Sequence, residues 1–380
     1  MTFDHVPGAR CFATLTAALA LACGPAAPAP TPTPVPVPAP AASAEPTAPQ
    51  RPPPPVRKDG TIYAETEQMG TRVSINVWVG EGSPTQAGAA IEAAFAEIER
   101  IEQIMSEWRP SSELSQLNDN AGGPARPLSP ELFEVLQRSK VIAEATDGAF
   151  DPTFHAVGQL WHFERGARPP APERIAEKLA LVGWQDIELD PNTGVGRLAR
   201  PGMKIGLGAI AKGYAVDRAS QLLLQHGFAD HIVEGGGDTY VSGSKGGASW
   251  KVGIQRPDRA GSLAAIPATD RAIVTSGGYQ RFLEVDGKRY AHILDPRTGW
   301  PLDESASAQS VTLVAANATD ADAYATAVAV MGPEKGMAFV EAHPELEAVL
   351  VTRSGELLVS QDLRPILVLP PAEQDKAPGP

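Results

Sequence analysis

The regular pattern of apolar residues begins near residue 70 of the chain. Four apolar residues alternate with other residues and predict a strand: Val73, Ile75, Val77 and Val79. Ser83-Pro84 then provides an N-cap and a proline at the first helical position. Apolar residues follow at helical spacing and predict one long amphipathic helix: Ile91, Phe95, Ile98, Ile101, Met105 and Trp108.

Helices and strands are interspersed along the rest of the chain. Helix start and stop signals predict helices at about 130–148, 211–227 and 320–331, and another from Pro333 onward. Short apolar or alternating runs predict six strands, at 231–233, 251–254, 272–275, 311–314, 348–351 and 357–359. Asp286-Gly287 and Ser354-Gly355 are typical of tight turns between antiparallel strands. The pattern favours an α+β fold with mostly antiparallel sheets over a doubly wound parallel sheet.

The N-terminal segment has the pattern of an export signal. Residues 12–22 form an apolar run directly before Cys23, and Leu19–Cys23 resembles a bacterial lipobox, with Ala20 where Leu is usual. We expect a signal peptide at 1–22 and a lipidated Cys23, with plain secretion or an uncleaved leader as alternatives. Residues 24–57 contain 14 prolines in 34 positions and predict an extended linker. We therefore expect a folded unit at 58–368, a disordered tail at 369–380, and an extracytoplasmic protein anchored to a membrane.

Composition limits the classes of partner and site. The net charge is −13, and the basic residues are scattered, which argues against a nucleic-acid partner. A phosphorylated ligand remains compatible with this charge, because backbone N–H groups, a lysine or a divalent cation can hold it. The only cysteines are Cys11 and Cys23, so the predicted folded unit has no thiol, disulfide or cysteine metal site.

Residues 206–214 place small residues and Lys212 immediately before a predicted helix. The spacing of Gly206, Gly208 and Gly213 matches neither a Walker loop nor the Gly-x-Gly-x-x-Gly dinucleotide fingerprint. The segment is therefore either a tight turn into the helix or a backbone contact for a phosphate.

Three other segments carry residues that could bind a ligand or a metal ion, or take part in catalysis. Asp322 and Thr326 lie four residues apart on a predicted helix, where they either hold a hard cation such as Mg²⁺ or serve as cap and interior residues. His292 lies at the end of an alternating strand, where it either acts as a general base or has only a structural role. The glycines at 235–237 and 277–278 indicate either a ligand close to the main chain or bulged hairpins.

Taken together and in this order, these segments resemble the ApbE family of FAD:protein FMN transferases, over about residues 64–345. The matching segments are Met69-Gly70-Thr71, Met105–Trp108 with Ser112–Asn118, Gly148–Thr153, Gly208–Asp217, Gly236-Gly237-Asp238, Thr275-Ser276-Gly277, His292–Gly299 and Asp322–Ala327. Gly206 stands where many members have Asp, and Gly278 where Asp or Asn is common.

The resemblance implies a bipartite α+β fold with FAD in a cleft between its lobes. It implies Mg²⁺ on the diphosphate of FAD, held by Asp322, Thr326 and the backbone carbonyl of Ala209. It also implies that Lys212 lies beside the diphosphate and that His292 lies on a late strand lining the cleft. The remaining flavin-binding positions implied are Met69, Trp108, Ala149, Phe150, Asp151 and Thr275.

The activity implied is Mg²⁺-dependent transfer of FMN from FAD to a Ser or Thr hydroxyl of an acceptor protein, with release of AMP. Lys212 and the cation would stabilise charge on the phosphate oxygens, and His292 is the candidate for the hydroxyl proton. The implied acceptor is a subunit of a membrane redox complex with an Asp-x-x-Ser/Thr-Gly-Ala-Ser/Thr-like sequence. The alternatives are an Mg²⁺-dependent FAD pyrophosphatase and a tethered flavin-binding lipoprotein without turnover.

The lipobox interpretation is tested by replacing Cys23 with serine. Acyl chains attach only to a thiol at that position, so Cys23→Ser should move the protein from the detergent phase to the aqueous phase in Triton X-114 partitioning. Cys11→Ser, which changes the other cysteine, should leave the partitioning unchanged. A Cys23→Ser protein that stays in the detergent phase would contradict the prediction.

Overall fold

A computed structural model of the protein describes residues 55–164, 166–277, 282–303 and 305–370. Most of its strands form one eight-stranded sheet in which every neighbouring pair is antiparallel. In order across the sheet, these strands are β1 (Thr61–Gln68), β2 (Thr71–Trp78), β6 (His231–Gly235), β7 (Asp238–Ser242), β10 (Arg271–Gly277), β15 (Ser310–Ala315), β16 (Glu347–Val351) and β17 (Leu357–Val359).

Smaller antiparallel sheets and the helices surround the large sheet. One sheet has three strands, β3 (Arg126–Pro127), β5 (Val195–Leu198) and β4 (Ile187–Asp190). The strand pairs are β8 (Trp250–Gln255) with β9 (Ser262–Ala268), β11 (Phe282–Val285) with β12 (Lys288–Ala291), and β13 (Leu294–Asp295) with β14 (Trp300–Pro301). The α-helices are α1 (Pro84–Met105), α2 (Glu113–Asp119), α3 (Pro130–Ala145), α4 (His155–Gly158), α5 (Pro172–Leu179), α6 (Ala211–Gln225), α7 (Ala318–Met331) and α8 (Pro333–Glu341).

Successive residues of the large sheet's strands point to opposite sides, and apolar clusters lie on both of its faces. Val311 and Leu313 of β15 and Leu350 of β16 belong to an apolar core that also contains α1, α6 and α7. Val314 and Val349 point the other way, into a second apolar cluster formed with β8 and β9. The helices therefore cover one face of the sheet, and a β-hairpin covers the other.

Most of the elements predicted from the sequence are present, and the antiparallel α+β class is confirmed. The first helix is shorter than predicted, because α1 ends at Met105 and leaves Trp108 outside it. Ser106 after the helix is extended, and its carbonyl accepts a hydrogen bond from the Ser112 hydroxyl that caps α2, so the chain turns there. His292 lies in the link between β12 and β13, so its placement on a strand is wrong.

Several predictions fall on residues that the structure does not describe. These are the signal peptide at 1–22, Cys23, the linker as far as residue 54, Gly278 and the tail from residue 371. The boundaries at 58 and 368 stay predictions, although the first strand begins at Thr61 and Val368 pairs with Ala265. Within the described ranges, no helix is both long enough and apolar enough to cross a bilayer.

The close contact of α6 with the start of α7 brings the candidate chemical residues together. A Cβ at Gly213 would overlap the backbone carbonyl of Ala318, so only glycine allows this approach. Four residues further along α6, the Asp217 carboxylate accepts hydrogen bonds from the N–H groups of Ala318 and Thr319, at 2.8 Å each, and from the Thr319 hydroxyl. The side chain of one helix therefore caps the N-terminus of the next.

Gly213→Ala tests this contact. Alanine is the better helix former, yet the overlap with backbone should lower the free energy of unfolding by about 1–3 kcal/mol. Urea unfolding followed by circular dichroism measures the change. Gly253→Ala is the control, because its Cβ would meet only Ser262 Oγ at 3.6 Å, and the change there should stay within about 0.5 kcal/mol. Equal stability of the Gly213→Ala and wild-type proteins would contradict the packing argument.

Candidate active site

The centre of the candidate site is a lysine between two buried aspartates. Lys212 Nζ lies 2.8 Å from Asp238 Oδ2, and 3.1 and 3.2 Å from the two carboxylate oxygens of Asp322. Each aspartate is 2% exposed. Lys212 is on the first turn of α6, Asp322 is near the start of α7, and Asp238 begins β7. The structure thus joins residues that lie as much as 110 positions apart in the chain.

The glycines before Asp238 make its position possible. Gly236 and Gly237 have φ values of 62° and 98°, in the region that favours glycine, and they form the turn between β6 and β7. A Cβ at Gly236 would come within 2.8 Å of Thr71 Oγ1, so this turn also lies against the Met69-Gly70-Thr71 segment. The run of glycines therefore serves both a tight turn and a close approach between two candidate segments.

The charges of the cluster do not cancel, since one ammonium faces two carboxylates. Burial and then the negative charge of Asp322 raise the pKa of Asp238 well above its usual value, although Lys212 opposes both. Burial lowers the pKa of Lys212, but Asp238 and Asp322 outweigh this effect and raise it above its usual range. Lys212 is therefore cationic at neutral pH, and the two carboxylates, when both are ionised, carry one negative charge in excess that a proton or a further cation would compensate.

The turn that leads into α6 presents few free N–H groups. The Leu207 N–H donates to Glu107 Oε2 at 2.9 Å, and the Gly208 N–H faces the same carboxylate. The N–H groups of Ile210 and Ala211 donate to the Leu207 carbonyl at 3.0 and 2.8 Å. The Gly213 N–H donates to Asp322 Oδ2 at 3.3 Å. Of the two interpretations of this segment, the structure favours the tight turn over a phosphate cradle of backbone N–H groups.

The oxygen atoms at this point fit a hard divalent cation. Carboxylate, hydroxyl and carbonyl oxygens are the ligands that Mg²⁺ accepts, usually with several waters and phosphate oxygens of the ligand. Asp322 supplies a carboxylate, and Thr326 lies four residues further along α7. Ala209 lies in the segment before α6. Thr326 and Ala209 are half-buried. Among the described residues, no three His, Cys, Asp or Glu side chains form a metal site on their own. A cation here therefore depends on neutral protein oxygens and on the bound ligand.

Aromatic residues lie beside the turn. Trp108 is 76% exposed, and its ring meets that of His155 edge to face at 6.1 Å between centroids. His155 in turn meets Phe154 at 6.2 Å. Burial, and then the charge of Lys204, lower the pKa of His155 to about 4, so this imidazole is neutral at neutral pH. An exposed indole on a fixed aromatic support is suited to contact with a flat ring system.

The segment Ala149-Phe150-Asp151 is buried and linked to the same turn. Ala149 is fully buried and Phe150 is 4% exposed. The Asp151 carboxylate accepts hydrogen bonds from the N–H and hydroxyl of Thr153 and from the N–H of Trp184. The Pro152 carbonyl accepts a 2.8 Å hydrogen bond from the Gly206 N–H. Asp151 therefore holds this segment in shape next to the turn.

The other predicted site residues lie on neighbouring elements. Met69 has a positive φ of 51°, and its N–H donates to Glu102 Oε2 at 2.9 Å. Thr275 donates its N–H to the Gly237 carbonyl at 3.1 Å, and its hydroxyl lies 2.9 Å from that of Thr312. Half-buried His292 precedes Leu294, which belongs to a small apolar cluster with Val157. The segment that contains His292 therefore packs, through Leu294, against α4, the helix that begins at His155.

Three residues at the site were absent from the residues selected on the sequence. Asp238 had a usable signal, because it directly follows three glycines in one of the matching segments. Glu107 lies in another matching segment, Met105–Trp108, but neither Glu107 nor His155 carries a local signal of its contact with a turn that is distant in sequence. Glu107 is 100 positions before Leu207, to which it is bonded.

Comparison with known proteins identifies the family of this chain. The family model described as "ApbE family" matches residues 69–350. An FAD:protein FMN transferase of Treponema pallidum is 35% identical over 308 residues, covering 76% of this chain and 84% of the relative. One of Klebsiella pneumoniae is 32% identical over 279 residues, covering 73% and 86%.

Solved structures give the same result. The ApbE protein of Thermotoga maritima has a TM-score of 0.74 and 32% identity, covering 80% of this chain and 99% of that one. The flavin transferase ApbE of Vibrio cholerae has a TM-score of 0.70 and 29% identity, with the same coverage. The chain matches these relatives across nearly all of its described part, and it belongs to the ApbE family.

Proposed function

We propose that this protein transfers FMN from FAD to a Ser or Thr hydroxyl of an acceptor flavoprotein, in an Mg²⁺-dependent reaction that releases AMP. The observation that carries the proposal is the buried Asp238–Lys212–Asp322 cluster at the start of α6. The exposed Trp108 accompanies it, since the preceding residue, Glu107, bonds to the turn before that helix. The cluster suits a diphosphate with its cation, and the indole suits a flavin. Relatives that cover most of the chain are named FAD:protein FMN transferases.

The residues that would hold the cation are Asp322, Thr326 and the carbonyl of Ala209. Mg²⁺ bound there would neutralise charge on the diphosphate and lower the barrier to its cleavage. The turn supports this assignment, because its N–H groups at Leu207 and Gly213 already bond to carboxylates. A dianionic diphosphate beside those carboxylates requires compensating positive charge.

The side chains of this protein have separate parts in the reaction. The acceptor hydroxyl oxygen bonds to the FMN phosphorus, the phosphoanhydride bond breaks, and the bridging oxygen leaves with AMP. Lys212 stabilises the charge that develops on the phosphate oxygens, since its ammonium is fixed and permanently charged. His292 accepts the proton of the attacking hydroxyl. Flavin contacts are assigned to Met69, Trp108, Ala149, Phe150, Asp151 and Thr275.

The proposal includes a location and a partner. Lipidation at Cys23 would tether the folded unit by the proline-rich segment 24–57 to the outer face of a bacterial membrane. The acceptor would be a flavoprotein subunit of a membrane redox complex with an Asp-x-x-Ser/Thr-Gly-Ala-Ser/Thr-like sequence. A phosphoester bond would keep the flavin attached to that acceptor, whereas free FMN would diffuse away.

The direct test is a transfer assay with the full chain. The protein is incubated with FAD, Mg²⁺ and an acceptor domain that carries the motif, and intact-mass spectrometry measures covalent FMN on the acceptor. We expect transfer with the wild type, loss of it with EDTA, and at least a 100-fold slower rate for Asp322→Ala. Asp320→Asn is the control, because Asp320 lies on the same helix but pairs with Arg138.

The outcomes of that assay separate the alternatives. FMN and AMP in solution without acceptor labelling would indicate a pyrophosphatase. FAD binding without either product would indicate a flavin-binding protein without turnover. An Asp322→Ala protein that transfers FMN at the wild-type rate would contradict the assignment of Asp322 as a metal ligand, but not the transfer activity itself.

The proton acceptor is tested separately with His292→Asn. Loss of a general base should slow transfer by roughly 10²–10⁴-fold and leave FAD affinity nearly unchanged. Stopped-flow rates and flavin fluorescence titrations measure the two quantities. His162→Asn is the control, since His162 is an exposed histidine with a 63% exposed side chain. If His292→Asn loses affinity and rate together, His292 is a ligand contact and another group accepts the proton.

A further inference from the structure

We propose that Glu107 is a positioning residue for the turn at 206–210, and that its carboxylate fixes the turn in the shape that the cation and Lys212 require. The inference deepens the proposed function and rests on it. Glu107 precedes the exposed Trp108 in the loop after α1, and it reaches the turn across 100 positions of sequence.

Glu107 faces two consecutive N–H groups of the turn and binds the first of them. Its Oε2 accepts from the Leu207 N–H at 2.9 Å, and the carboxylate also faces the Gly208 N–H. Two consecutive donors need an acceptor with more than one free lone pair, which an ionised carboxylate provides. A glutamine of the same shape would turn one of its acceptor oxygens into an NH₂ donor.

These bonds fix the orientation of one peptide plane. The C=O and N–H of the Leu207–Gly208 peptide point in opposite directions, because the peptide is planar and trans. Its N–H faces Glu107, and its C=O accepts from the N–H groups of Ile210 and Ala211, which begin α6. The plane is therefore held from both sides.

The next residues of the turn are those that the reaction needs. The Gly208 carbonyl accepts a 3.3 Å hydrogen bond from Lys212 Nζ, and the Ala209 carbonyl is the proposed cation ligand. A change in the backbone angles at Gly208, which this peptide plane helps to set, would displace both carbonyls. Glu107 therefore acts on the site through the backbone, without contact with FAD.

The neighbouring glycine agrees with this role. A Cβ at Gly206 would lie 3.0 Å from His155 Cβ and 3.1 Å from Glu107 Oε2, which is tighter than ordinary contact. The Glu107 carboxylate thus occupies the space into which a side chain at 206 would point.

The test compares Glu107→Gln and Glu107→Ala with the wild-type full chain. Glu113→Gln is the matched control, since Glu113 Oε1 also accepts a backbone N–H, but that of Ser129, at 2.7 Å, and not one of the turn. Flavin fluorescence titrations measure FAD affinity at fixed Mg²⁺ and the Mg²⁺ concentration for half-maximal binding. Hydrogen exchange with mass spectrometry measures the protection of the 206–211 peptide.

We expect both Glu107 variants to weaken FAD binding and raise the Mg²⁺ requirement by about 10–100-fold, the usual loss when an outer partner of a metal ligand is removed. Exchange at 206–211 should rise in Glu107→Gln even without FAD, and Glu113→Gln should match the wild type. Glu107→Gln with wild-type affinity, Mg²⁺ dependence and exchange would overturn the inference, because side-chain packing alone would then suffice. A wild-type chain that binds no FAD would contradict the proposed function, and the exchange data would still decide the role of Glu107 in the turn.

Discussion

The position of Lys212 between Asp238 and Asp322 is the constraint on which the rest of the site depends. Moving each of these charges from water into the protein costs several kcal/mol, which is recovered only if the three groups meet with good geometry. They come from α6, β7 and α7, so these three elements must converge within hydrogen-bond distance. The glycines at 213, 236 and 237 permit that convergence, since a side chain at 213 or 236 would overlap its neighbours.

The large sheet provides the rigid support for this convergence. Both of its faces are buried, one under α1, α6 and α7 and the other under the β8–β9 hairpin. β7 and β10 are neighbours in the sheet, so Asp238 and Thr275 are set by strand register. α6 and α7 pack on that same sheet, and the bond from Asp217 to the N-terminus of α7 fixes one helix against the other. A site whose charges must meet within a few tenths of an ångström is thus placed on elements that are packed into the core of the fold.

The sequence predicted what depends on local pattern. Periodicity, Ser-Pro helix starts and Asp-Gly turns were enough to predict α1, α3, α6, α7 and the antiparallel class, because those signals act within a few residues. The end of α1 was misplaced, because Trp108 continues the apolar period while the Ser112–Ser106 hydrogen bond diverts the chain. Glu107 was missed because its partner is 100 positions away, and no local pattern reports such a contact. Asp238 was within reach of the sequence, but its pairing with Lys212 follows from topology.

The turn before α6 shows how a glycine-rich segment at a helix start can differ from an anion cradle. In a phosphate-binding loop the free N–H groups and the helix dipole together attract the anion. Here Glu107 and Asp322 take up the N–H groups of Leu207 and Gly213, and they place two carboxyl groups next to the helix. The turn therefore leaves few N–H groups for an anion and presents oxygen atoms instead. Its hydrogen bonding is set by side chains of the protein itself, before any ligand is present.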